Sequence, residues 1–102
     1  MAKMNNFMGQ NSQMQQMMKQ AQDMQKQMDK AKNDLAETAV EASAGGGMVV
    51  VEMSGAYELL NIRIKPEAVD PDDVEMLEDL VIAAVNETLN QVTKLREEKL
   101  PL

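Results

Sequence analysis

From Ser12 onward the apolar and small residues fall at Met14, Met17, Ala21, Met24, Met28, Ala31 and Leu35, an unbroken alternation of three- and four-residue steps. A period of 3.5 is the seam of an α-helix that packs against another helix. Between Met14 and Leu35 it predicts a rod roughly 33 Å long at 1.5 Å per residue. Gln and Lys fill the other faces, so the stripe is narrow and only another helix suits it, with Ala21 and Ala31 permitting close approach. Residues 1–12, MAKMNNFMGQNS, are rich in Asn, Gln and Ser and hold no sustained period, which predicts a flexible N-terminal arm.

The period then changes. Thr38 to Ser43 alternates weakly, Gly45-Gly46-Gly47 breaks the chain, and Met48 to Met53 is a β-branched run with apolar residues on both faces. Ser54-Gly55-Ala56 marks a turn. Tyr57 to Ile64 follows as a third strand, with Leu60, Ile62 and Ile64 on one face and Leu59, Asn61 and Arg63 on the other. Together these predict an antiparallel meander of three short strands.

Pro66 ends the sheet, and Asp70-Pro71-Asp72-Asp73 reads as a helix start, with Asp70 as N-cap and Pro71 at the first helical position. The second helix should run to about Glu98. Its middle, Leu80 to Val85, is continuously apolar, so no face there can stay wet. One small sheet covers only one side of such a helix, and the two-sided strand makes the same demand. A homodimer is therefore expected, with Val49, Val51, Leu80, Val81, Ala84 and Val85 in a hydrophobic interface larger than ~2,000 Å².

Composition narrows the chemistry. Among 102 residues there is no Cys, His or Trp, one Phe and one Tyr, while Met occurs eleven times. The first two absences remove the commonest general base, the usual zinc ligands and thiol nucleophiles, so no catalytic residue, metal site or cofactor is expected. No segment nears the ~20 apolar residues of a membrane span. A cytoplasmic protein without a membrane or small-molecule partner is the expectation. Net charge is −7, which taken alone argues against nucleic acid. Yet residues 1–32 hold Lys3, Lys19, Lys26, Lys30 and Lys32 against Asp23 and Asp29, a balance of +3 that leaves −10 for residues 33–102.

Three stretches carry a resemblance. Met17 to Gln25 (MMKQAQDMQ), the Gly-rich turn running into Met48-Val49-Val50-Val51 and closing at Gly55, and Glu75 to Val81 followed by Ala83-Ala84 and Asn86 resemble, in order and spacing, the signatures of the YbaB/EbfC nucleoid-associated proteins. The likeness covers about residues 13–99, a single domain, with residues 100–102 as a short tail. It implies an α+β fold: an α-β-β-β-α protomer with a three-stranded antiparallel sheet and two long helices, intertwined as a homodimer with protruding helical arms. It further implies that the helix tips grip double-stranded DNA at the nucleoid, for nucleoid organisation and gene regulation. Members often continue into a Gly/Pro/Met-rich tail, whereas this sequence closes at Leu100-Pro101-Leu102.

Lys19, Lys26 and Lys30 lie within about 40° of one another on the face opposite the Met seam. Such a row can neutralise successive phosphates, or it can be a solvated face that keeps a Gln-rich helix soluble, a reading Asp23 in the same stripe favours. Lys94, Arg96 and Lys99 are further candidates for DNA contact, although cations there also complement the helix dipole and are diluted by Glu97 and Glu98. With no Arg on the first helix and few aromatics, the implied contact is to the duplex backbone, with little base reading. The alternative is a protein-interaction module that docks through the heptad Met/Ala helix, with no DNA binding; an acidic enzyme subunit comes last.

Overall fold

The computed structural model describes the backbone of residues 2–101 and the side chains of residues 11–101. Its elements follow the order α1 (Ala2–Glu37), β1 (Ala39–Ala44), β2 (Val49–Ser54), β3 (Leu59–Ile64), a 3-10 turn (Pro66–Ala68) and α2 (Val74–Lys99). The chain divides into two compact units, Met1–Lys30 and Ala31–Leu102. α1 starts at Ala2, so its helical backbone takes in most of the stretch read as a flexible N-terminal arm. Once a helix is nucleated, each added residue needs only a modest propensity, and Met, Gln, Lys and Ala supply it. The side chains of residues 1–10 lie outside the described residues.

The second unit is built on the meander. β1 pairs with β2 antiparallel, placing Ala42 opposite Val51 and Ala44 opposite Val49. β2 pairs with β3, placing Val51 opposite Ile62 and Val49 opposite Ile64, with an irregularity at Glu52/Met53. Val49, Val51 and Ile62 thus share one face, while Glu41, Glu52 and Arg63 share the other. α2 lies across the first face on β1 and β2. The small Ala42 and Ala44 of β1 let it sit close, and Val49, Val51 and Ala84 form a fully buried centre with Leu77, Leu80, Val81 and Val85 around them.

Val49, Val51 and Ala84, expected at a dimer interface, are buried within the single chain. Each has 0% exposure, because α2 itself covers β2. Leu80, Val81 and Val85 are half-buried. The apolar surface that stays open is elsewhere: Ile62 and Ile64, 37% and 41% exposed on the edge strand, and Ile82 on the outer side of α2, 57% exposed.

The turn between β1 and β2 runs through Gly45, Gly46 and Gly47, all at positive φ. A side chain at Gly45 would also strike Leu80, whose Cδ2 would lie 2.8 Å from the added Cβ. α2 begins three residues later than expected. Asp73 is its N-cap, its carboxylate accepting from the Met76 N–H at 3.2 Å. Asp70 instead closes a turn over Pro71, its carboxylate accepting from Asp72 N–H at 2.9 Å and its carbonyl from Asp73 N–H at 3.0 Å. Proline at the second position of a turn is as favourable as proline in a first helical turn, so the same four residues serve either geometry. At the other end Arg96 O accepts from Leu100 N–H, and Pro101 follows.

Candidate nucleic-acid interface

On α1 the chemistry is set by periodicity. Lys19 and Lys26 are two turns apart and Lys30 one turn further, roughly 10 and 6 Å along the axis, and all three are exposed. The ion pair among the described residues is Arg63–Glu41, at 2.7 Å, so none of these lysines is neutralised by a bound carboxylate. Asp29, next to Lys30 in sequence, accepts a hydrogen bond from Gln25 Nε2 at 3.0 Å. Asp23 is exposed within the stripe and lowers its net charge, as the sequence indicated.

The second candidate group does not form a cluster. Lys94 and Lys99 are exposed, but five residues apart they point about 140° from each other on α2. Lys99 turns toward a cleft of about 260 Å³ that it lines with Ala31, Asp34, Leu35 and Thr38. Arg96 is half-buried and already engaged. Its Nη1 donates to Gly55 O at 2.8 Å, and its guanidinium lies 5.1 Å from the centre of the Tyr57 ring. The Tyr57 hydroxyl in turn bonds Thr93 Oγ1 at 2.6 Å. This side chain, a candidate for phosphate contact, fastens the β2–β3 turn to α2 by a charge-assisted bond and a cation–π contact.

That node was not legible in the sequence. Tyr57 occupies φ +63°, a conformation non-glycine residues rarely adopt, within a turn whose Ser54 Oγ accepts from the N–H groups of Ala56 and Glu58. Gly55 donates its N–H to Thr38 O at 2.9 Å, just past the end of α1. A Cβ on Gly55 would sit 2.5 Å from Leu35 O, so only glycine allows this approach. Leu35, the last seam residue, is buried here, and Thr38 Oγ1 donates to Asp34 O at 2.8 Å, satisfying a terminal carbonyl of α1.

On the sheet face away from α2, Arg63 of β3 donates to Glu41 of β1 across the intervening strand. That hydrogen bond, and then the charges of Glu41 and Glu52, hold the guanidinium above its ordinary pKa despite a small opposing desolvation. Both partners are about half exposed, so the pair is screened by solvent. Among the described residues no helix is long and apolar enough to cross a membrane.

A long helix joined to a three-stranded antiparallel meander backed by a second helix makes this a small α+β protein of α-β-β-β-α order. The model of the YbaB/EbfC DNA-binding family matches residues 1–101, and the chain belongs to that family. It is similar to a nucleoid-associated protein of Alkaliphilus metalliredigens, 60% identical over 72% of this chain and 64% of that one. A nucleoid-associated protein of Chloroflexus aurantiacus is 49% identical over 83% of this chain and 85% of its own length. The match therefore spans less than two thirds of the first relative and most of the second. An uncharacterized Helicobacter pylori protein of known crystal structure shares the fold, with a TM-score of 0.74 over 82% of this chain and 88% of that one at 24% identity.

Proposed function

We propose that this chain binds duplex DNA as a homodimer, without catalysis, through phosphate contacts from Lys19, Lys26 and Lys30, with Lys94 and Lys99 as lesser contributors. Its place is then the bacterial nucleoid within the cytoplasm, in DNA organisation and gene regulation. The observation that carries this reading is the stripe of three exposed lysines with no carboxylate partner on a helix of basic balance, in a chain whose family is defined by DNA binding. A point charge on a flexible stem suits a phosphate and carries little base information. Dimerisation is supported by the apolar surface left open at Ile62, Ile64 and Ile82. Two-fold symmetry then doubles the lysine stripe.

Binding of one mixed-sequence duplex is to be measured across a salt range for the parent and for Lys19→Glu/Lys26→Glu. If six phosphates are engaged, the parent slope of log affinity against log salt is about −5, and the double variant binds all sequences more weakly with a flatter slope. Coincident curves would reject the lysine stripe as the contact. The exposed seam of α1 favours a second reading, in which the helix docks a protein and not DNA; no binding by the parent at low salt would establish it over ours.

A further inference from the structure

Along the seam of α1 Met14, Met17 and Met24 are between 58% and 68% exposed in the single chain, and Met28 and Ala31 are half-buried. The seam's 3.5-residue period restricts what can cover it, because a stripe this narrow and regular stays in register only along another helix of the same period. In heptad terms Met14, Ala21 and Met28 take a, and Met17, Met24 and Ala31 take d. The positions that flank such a seam over the same span are Gln13, Met18, Gln20, Gln25, Gln27 and Lys32, of which Lys32 alone is charged. Lys19 and Lys26 take the outermost position and Lys30 lies beside it. A partner with a charged flank finds a single cation here, and an identical helix running antiparallel sets Lys32 opposite Gln13 and meets no like charge.

We propose that the occupant is the same helix of a second copy, packed antiparallel, with Ala21 of each against Met24 of the other. In this register Met14 falls opposite Ala31 and Met17 opposite Met28, so four of the six layers pair a large side chain with a small one. Interdigitation of large with small is what a close-packed helix pair requires. The parallel, in-register alternative stacks Ala21 on Ala21 and Ala31 on Ala31, leaving voids, and crowds Met on Met. The antiparallel pair also sets each positive helix end beside a negative one, and both lysine stripes remain on the outside. The seam is short and built of flexible Met, so the pairing is weak and reversible.

The proposal does not depend on DNA, and its test uses none. The full chain lacks Cys, so Ala21→Cys and Met24→Cys variants, one of them carrying a mass tag, can be mixed, unfolded and refolded together in a glutathione redox buffer. The register requires the 21–24 mixed disulfide to exceed its share in a random 1:2:1 distribution severalfold. It also requires Met17→Lys/Met24→Lys to lower the self-associated fraction seen by sedimentation at high concentration while leaving the thermal unfolding of the chain unchanged. A predominance of 21–21 and 24–24 disulfides, a random distribution, or an unchanged mass in the lysine variant overturns the proposal. Because the variant adds cations, its DNA binding would persist, so failure of this pairing is separable from failure of the DNA reading.

Discussion

Gly55 and Gly46 both sit in turns, and different constraints hold them there. At Gly55 the limit is space, since a methyl group would enter the backbone carbonyl of Leu35 at 2.5 Å. At Gly46 there is nothing within 4 Å, but φ is +66°. Gly55→Ala should therefore destabilise by ~3 kcal/mol, at the upper end for overpacking, because backbone and not a flexible side chain must move. Gly46→Ala should lose only ~1–2 kcal/mol, the penalty for a left-handed residue. Urea unfolding of the two variants measures both. A larger loss at Gly46 than at Gly55 would mean that the close approach beneath the β2–β3 turn is not what requires glycine.

At the scale of elements, the start of α2 offers a clear choice between two aspartates. Asp73→Ala should lose ~1 kcal/mol of stability, a typical N-cap value, because the Met76 N–H loses its acceptor. Asp70→Ala removes only a turn bond and should lose less, and the order of the two thermal midpoints checks this. The sequence pattern reported this element's existence, type and end well, since periodicity and the Leu80–Val85 run extend over many residues. It could not place the start, because an acid followed by proline stabilises a turn and a cap alike. The meander was equally legible in its alternation and glycine turns. What single-strand patterns do not carry is which face a neighbour covers: Val49 and Val51 look two-sided in sequence, yet α2 buries their side of β2 completely. The same holds at the candidate site. Spacing alone aligned Lys19, Lys26 and Lys30, whereas the engagement of Arg96 by Gly55 and Tyr57, 41 and 39 residues away in sequence, depends on the fold bringing them together.

For the whole molecule, the open apolar surface separates folding from association. A charge at Ile62 or Ile82 meets water in the lone chain, so Ile62→Asp or Ile82→Asp should give a folded monomer at concentrations where the proposed dimer of the parent forms. Ala84→Asp places an unpaired charge at 0% exposure and should unfold the chain. Circular dichroism and sedimentation together report these outcomes. A folded Ile62→Asp/Ile82→Asp variant that sediments with the parent would remove this surface from the dimer interface.

The uneven charge has a consequence for the polymer such a protein would coat. If the proposed dimer binds, two chains at −7 each bring −14 to the duplex, even though its lysines neutralise a few phosphates. A decorated segment is then a stronger polyelectrolyte than bare DNA. It draws in more counterions, resists bending and holds its neighbours at a distance that shrinks as salt shortens the Debye length. Acting by charge alone, this coat swells a DNA mesh where a basic protein would collapse it.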